Sequence, residues 1–418
     1  MGCSSSKHVA DDSGAAAMRR RGPRASMVPA GYKVETAASG PEAQRQLATA
    51  GSVAVPLPTA GLTLRYAFVS QRGYYPDAPD KSNQDAVCVA ERLGGGAETH
   101  LFGVFDGHGE LGTECAQFVR DRLADNITSQ PSWPAVPAAA LAAALVTANS
   151  QLHEAPIDDC LSGTTACCAL LEGSTLHVAN VGDSRAVLAE AGAPGELPTA
   201  RDLSQDQTPF RLDECLRVLQ AGARVMTLDQ LEGLKDPSLP CWTNEADCDG
   251  DPPRLWSPAG LFPGTAFTRS IGDAAAEDIG VIADPEMSAM QLEPCHPFAI
   301  LASDGVWEFM SSQKAVEMVA KHDNPYDACK ALVSQAYKLW LQKETRTDDI
   351  SAVVLFFDWK KKEGSSSGAA EAGAAGGAAG GAAAPAAQQD TPPQGGEATS
   401  RLGSVWRSRS GKKQEGGV

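Results

Sequence analysis

The sequence predicts an α+β fold, two packed antiparallel sheets flanked by helices, and three observations carry that expectation. Short apolar runs recur between turn residues from about Leu62 to Asp358, at strand rather than helix length. Pairs of helix-period segments interrupt them, so the helices must cover sheets that already pack on each other. Residues 1–60 and 359–418 lack this patterning, being rich in Ala, Ser, Gly and Pro, and are expected to be disordered ends around one domain of residues 61–358.

Strands are expected at Leu62–Val69, Ala86–Ala90, His100–Phe105, Thr164–Leu171, Ser174–Val181, Ala186–Ala189, Phe298–Ser303 and Ile350–Phe357. The tetrapeptide Leu171-Glu172-Gly173-Ser174 between two of them reads as a hairpin loop. Helical spacing appears at Thr113–Thr128, Pro137–Glu154, Leu212–Ala221, Ser312–Lys321 and Pro325–Gln342. The last follows Asn324, a cap whose side chain accepts from free amides, and starts with Pro325, whose missing N–H costs nothing there. Residues 230–265, with Asp236-Pro237 and Pro252-Pro253, show little periodicity and are expected to form a long surface insertion.

At 418 residues and 43% apolar content the chain can bury a large core, yet it has no apolar run of about 20 residues able to cross a bilayer. The net charge is −17, and both ends are net basic, so the middle is more acidic still. Such a body repels phosphate backbones, which excludes nucleic acid as a partner. The 11 cysteines are scattered without a Cys-x-x-Cys pair or a signal-peptide core, which points to a reduced, intracellular setting. Cys88, Cys115, Cys167, Cys168 and Cys329 sit inside apolar runs, as small hydrophobes do.

The chemistry is expected from carboxylates. In Phe102-Gly103-Val104-Phe105-Asp106-Gly107-His108-Gly109 an apolar strand ends in an acid bracketed by glycines, with a titratable imidazole beside it. Ala299-Ile300-Leu301-Ala302-Ser303-Asp304-Gly305 repeats the design, with Glu308 four residues after Asp304. Asp348-Asp349 precede the final strand, Asn83-Gln84-Asp85 an early one, and Gly182-Asp183-Ser184 closes another. Acids at strand ends can converge on one edge of a sandwich, where buried anions are costly unless a divalent cation compensates them. Oxygen donors without His or Cys clusters favour Mg²⁺ or Mn²⁺ over zinc.

Six segments together resemble the motif series of type 2C protein phosphatases, in that family's order across residues 62–358: Asp106-Gly107-His108-Gly109, Ser162-Gly163-Thr164-Thr165, Gly182-Asp183-Ser184-Arg185, Thr268-Arg269-Ser270-Ile271-Gly272-Asp273, Ser303-Asp304-Gly305-Val306-Trp307 and Asp348-Asp349-Ile350-Ser351. Gln71-Arg72-Gly73-Tyr74-Tyr75-Pro76 and the stretch from Ile271 to Glu277 are similar to plant and algal members. The resemblance implies a four-layer α-β-β-α sandwich with a two-metal cleft at one edge, and hydrolysis of phosphoserine and phosphothreonine by water without a covalent intermediate. It implies Asp106 as the acid bridging both metals, Gly107 as a carbonyl ligand and Asp304 and Asp348 as the remaining side-chain ligands. Asp85 is expected behind the metal waters, and Asp183 and Glu308 around a third, weaker ion. His108 is the expected proton donor to the departing oxygen, its ordinary pKa of ~6.5 lying near working pH.

Gln84 stands where many members have Glu, and Glu308 where Asp is usual. The family's phosphate-binding Arg is displaced, which leaves Lys81 and Arg72 as the candidates. The competing reading is a catalytically silent relative that only binds phosphoproteins; retention of Asp106, Asp304 and Asp348 speaks against it. Met1-Gly2-Cys3-Ser4-Ser5-Ser6 matches N-myristoylation of Gly2, with Cys3 open to palmitate and Arg19-Arg20-Arg21 able to add charge attraction. The expectation is a monomeric signalling enzyme, in the cytosol or attached peripherally to the cytoplasmic face of a membrane, the plasma membrane by preference, and acting on phosphorylated proteins.

Overall fold

The computed structural model describes residues 33–36, 46–193, 195–242 and 251–360. The expected lipidation sites Gly2 and Cys3 and nearly all of the tail 359–418 lie outside these residues. No helix among them is long and apolar enough to cross a membrane.

Two large sheets form the body. The first contains β1 (Lys33–Thr36), β2 (Gln46–Leu57), β3 (Leu62–Gln71), β9 (Arg185–Glu190), β10 (Thr199–Asp202), β16 (Phe298–Ala302) and β17 (Ile350–Trp359), ordered β1-β2-β3-β17-β16-β9-β10. The second contains β4 (Asp85–Ala90), β5 (Thr99–His108), β6 (Gly163–Thr164), β7 (Ala166–Glu172), β8 (Thr175–Val181), β14 (Ile271–Gly272) and β15 (Glu286–Gln291). Its order is β14-β6-β5-β7-β8-β15, with β4 on the other side of β5, and every pairing in both sheets is antiparallel.

Alternation within single strands shows the layering. Along β17, Val353, Leu355 and Phe357 enter the core between the sheets, while Ala352, Val354 and Phe356 face α7 (Ser312–Val319) and α8 (Pro325–Lys343). Along β5, Phe102 and Val104 point into the same inter-sheet core, and Leu101 and Phe105 meet α1 (Gly112–Ser129) and α2 (Pro137–His153). Strands covered on both faces read as continuous apolar runs, which is how these appeared in the sequence. Each such Leu, Val or Phe contributes about 1.5–3 kcal/mol by leaving water. The layers are therefore helix, sheet, sheet, helix, as expected. The Asn324 cap also holds: its Oδ1 accepts from Tyr326 N at 2.8 Å and Asp327 N at 3.4 Å. Cys88, Cys115, Cys167, Cys168 and Cys329 are buried.

One expectation needs correction and another gains detail. The domain does not begin at residue 61: β2 pairs with β3 from Leu47↔Gln71 to Leu57↔Leu62, and β1 pairs with β2. Ala48, Ala50, Gly51, Ser52 and Ala54 interrupt its apolar pattern and hid it, although Ala50, Val55 and Leu57 join the core between the sheets. The 230–265 insertion carries strands of its own. It supplies β12 (Arg254–Trp256) and β13 (Pro263–Thr265), which with β11 (Arg224–Met226) make a small third sheet. This sheet packs with α3 (Leu212–Ala221) and α5 (Ala274–Glu277) around Cys215, Val218, Leu255 and Ile279.

Candidate active site

Antiparallel pairing brings distant acids to one edge. The C-terminal end of β16 carries Ser303-Asp304, and β17, its neighbour, begins just after Asp348-Asp349. In the other sheet, β4 and β5 pair Asp85 directly with Asp106. The two edges are stitched by Asp349, whose Oδ1 accepts from Gly73 N at 2.6 Å and Oδ2 from Gln84 N at 2.8 Å. The Thr165 hydroxyl accepts from Asp106 N at 3.0 Å, and Thr165 N donates to Asp106 O at 2.9 Å, so the Ser-Gly-Thr-Thr motif fixes the backbone of the central acid. Gly107 must be glycine: a Cβ there would lie 2.1 Å from Gly112 O.

Asp106, Gly107, His108, Asp183, Asp304, Asp348 and Lys81 line one cavity of about 210 Å³. Burial first, and the charges of neighbouring acids second, push the carboxyls of Asp106 and Asp304 far above the usual range. The two face each other closely enough for one, once protonated, to hydrogen-bond to the other. Burial also raises Asp183 to about 6, with Asp206 adding to it. Asp304 Oδ1 is buried without a hydrogen-bond partner. A buried anionic oxygen in such company is expensive in water-free surroundings and is the natural ligand of a hard divalent cation. The donor set, carboxylates with a nearby glycine carbonyl, therefore fits Mg²⁺ or Mn²⁺.

Asp85 sits beside this cavity rather than in its lining; its Oδ2 accepts from Ser303 Oγ at 2.9 Å, and its Oδ1 is buried without a partner. Burial, then Asp349, raise it to about 7. Glu308 is exposed at the end of the short helix α6 (Asp304–Trp307) and outside the cavity lining. Its charge still reaches Asp304, whose carboxyl it helps to raise.

Sequence reasoning missed Asp273. His108 Nε2 lies 2.6 Å from Asp273 Oδ2, and Ser270 Oγ donates to the same oxygen at 2.6 Å. Burial opposes a charged imidazole, but the Asp273 carboxylate, helped by Asp183, raises the His108 pKa above the ordinary value. Asp273 adopts φ +54°, and its N–H donates to Ser162 O at 2.9 Å. A Cβ on Gly163 would lie 2.2 Å from its Oδ2, which explains that glycine. Behind it, His153 bridges Asp159 at 2.6 Å and Glu277 at 3.2 Å, tying down the segment after Asp273. The ring of Phe267 covers His108 at 4.4 Å between centroids.

Of the two phosphate candidates only Lys81 lines the cavity. Arg72 is 5% exposed, and its guanidinium donates to the carbonyls of Lys81, Gly73, Ala78 and Pro79. Its donors are spent on closing the 73–81 loop, so Arg72 is a structural staple and not a phosphate ligand. Arg72→Ala is expected to cost about 2–4 kcal/mol of stability through the carbonyls it strands. Lys81→Ala should leave the denaturant midpoint unchanged while raising KM roughly 10-fold through a lost charge-assisted contact. Denaturant melts and steady-state kinetics on both variants check this pair.

The family model for Protein phosphatase 2C matches residues 78–343, which include Lys81, Asp85, Asp106, His108, Asp183, Asp273 and Asp304. The chain belongs to the protein phosphatase 2C family. "Probable protein phosphatase 2C 35" of Arabidopsis thaliana is 52% identical over 305 residues, covering 73% of this chain and 86% of that one. "Probable protein phosphatase 2C 12" of Oryza sativa subsp. japonica is 33% identical over 323 residues, covering 66% and 77%. The similarity to plant members read from the sequence is therefore sound. A solved serine-threonine phosphatase 2C from Toxoplasma gondii superposes with a TM-score of 0.59 at 20% identity, over 74% of this chain and 99% of that one, which supports the fold.

A second acidic group in this phosphatase lies elsewhere. Asp213, Glu214 and Glu286 place carboxylate oxygens within 4.8 Å of one another. Arginines already neutralise them: Arg211 reaches Asp213 and Glu286 at 2.6 Å, Arg217 reaches Glu214 at 2.6 Å and Arg269 reaches Glu214 at 2.7 Å. Burial opposes the Glu214 charge, yet hydrogen bonds from Arg269, Arg217 and Thr268 hold its pKa down at about 2. This network braces α3 against β15 and has no use for a metal.

Proposed function

We propose that this protein phosphatase hydrolyses phosphoserine and phosphothreonine in proteins with two divalent cations, Mg²⁺ or Mn²⁺, taken up by Asp106, Asp304, Asp348 and the Gly107 carbonyl. The unpartnered, buried Asp304 Oδ1 in a cavity walled by acids carries this reading. Bound cations would lower the pKa of a water, align it with phosphorus and offset phosphoryl charge. Lys81 binds a phosphoryl oxygen at the cavity wall. His108, favoured in its charged form by Asp273, supplies a proton to the departing Ser or Thr oxygen, and Asp85 fixes the backs of the ligands through Ser303. Asp183 and Glu308 are the acids a third, weaker ion would take.

Phosphate release from a phosphothreonine peptide is expected to depend on Mn²⁺ or Mg²⁺ and to stop with a chelator. Peptide binding without turnover in either ion would instead identify a silent binding module. We further propose that Gly2 and Cys3 carry lipids that attach the enzyme to a cytoplasmic membrane face; one acyl chain binds only at about 10⁴ M⁻¹, so the second chain or the arginine cluster is required. Unchanged membrane partition of Gly2→Ala in fractionated cells would refute attachment.

A further inference from the structure

We propose that Tyr75 is a positioning residue serving both halves of the site, its hydroxyl fixing the ligand Asp348 and its ring seating the Lys81 ammonium. The inference rests on the two-cation reading above and deepens it.

The phenol hydroxyl donates to Asp348 Oδ1 at 2.7 Å, and Asp349 N donates to the same oxygen at 2.9 Å. Two donors occupy Oδ1 and orient the carboxylate, which leaves Oδ2 as the oxygen available to a cation. On the face of the same ring, Lys81 Nζ stands 4.1 Å from the centroid. An ammonium beside several carboxylates would otherwise collapse onto one and neutralise a ligand. Stacked on the ring, Lys81 forms no ion pair with any described carboxylate and still lines the cavity. The platform itself cannot shift: Tyr75 is 5% exposed, and Arg72 clamps the loop carbonyls on either side of it. One aromatic side chain thereby sets the spacing between the phosphate-binding cation and a metal ligand. A phenylalanine would keep the seat and lose the tether; a leucine would lose both.

The experiment uses the full chain, with Mn²⁺ binding followed by calorimetry and phosphothreonine-peptide KM measured at saturating Mn²⁺. Tyr75→Phe is expected to weaken Mn²⁺ binding about 10–150-fold, the size of a lost hydrogen bond to a charged acceptor, with KM within about 2-fold of wild type. Tyr75→Leu should weaken Mn²⁺ similarly and raise KM about 3–10-fold, the size of a lost cation–π contact. Lys81→Met should reproduce the KM change without the Mn²⁺ change. Wild-type Mn²⁺ affinity in Tyr75→Phe, or wild-type KM in Tyr75→Leu, overturns the proposal. Absence of any Mn²⁺ heat with the wild-type protein overturns the two-cation reading itself, so the two failures are told apart. Should Tyr75→Leu not fold, the near-isosteric Tyr75→Phe and Lys81→Met decide between the outcomes.

Discussion

Asp304→Asn is expected to lower metal-dependent phosphate release by at least about 10³-fold, several kcal/mol of transition-state stabilisation, while making the metal-free protein more resistant to heat. The two effects have one cause. Asp304 is held in the cavity with Oδ1 unpartnered and with Asp106, Asp183 and Asp348 around it. Its folded pKa is raised, first by burial and then by these charges. A carboxyl whose folded pKa lies above its unfolded value of ~3.9 costs stability at every pH above that unfolded value, up to the full penalty of keeping or neutralising the charge. Asparagine removes the charge at nearly constant shape and so relieves the metal-free fold at neutral pH. Adding Mn²⁺ should reverse the order, because a ligand bound only by the native state raises its melting temperature by mass action. Wild type gains and the variant does not. Melting curves with and without Mn²⁺ provide the check, and an equal Mn²⁺-induced rise in both proteins would remove Asp304 from the ligand set.

What was legible in the sequence, and what was not, follows from how local each signal is. Asp106, Asp304 and Asp348 were readable because each ends or precedes an apolar strand, and antiparallel pairing of β16 with β17 and of β4 with β5 does the rest. The strand β17 was readable because both its faces are covered. By contrast β2 has its apolar pattern broken by small residues and shows itself through its long pairing with β3. Asp273 was opaque for another reason. Its meeting with His108 spans 165 residues of sequence and depends on a left-handed backbone at Asp273 and a missing side chain at Gly163. Arg72 and Lys81 looked equivalent as cations; only the fold shows that loop carbonyls consume one of them. Tyr75 offered no charge, only a place in the plant-like Gln71–Pro76 stretch, and its importance lies in which oxygen and which ammonium it touches.

His108→Ala is expected to divide substrates by their leaving groups. With a phosphothreonine peptide the departing alkoxide needs a proton, and removing a positioned acid should lower kcat by about 10²–10³-fold. With p-nitrophenyl phosphate the departing aryl oxide is stable without one, so the loss should stay within roughly 10-fold, since only general acid assistance is missing. Asp273→Asn should fall between: the amide keeps the shape and the contact to Ser270 but no longer supports a charged imidazole 2.6 Å away. Its peptide kcat should therefore drop more than its aryl phosphate kcat, with Mn²⁺ affinity unchanged, because Asp273 touches the imidazole and none of the carboxylates proposed as ligands. The comparison separates proton delivery from mere support of the cavity wall. If His108 and the tilted Phe267 ring above it served only to shape the pocket, both substrates would suffer alike, and equal losses in His108→Ala would show that the leaving oxygen takes its proton from elsewhere.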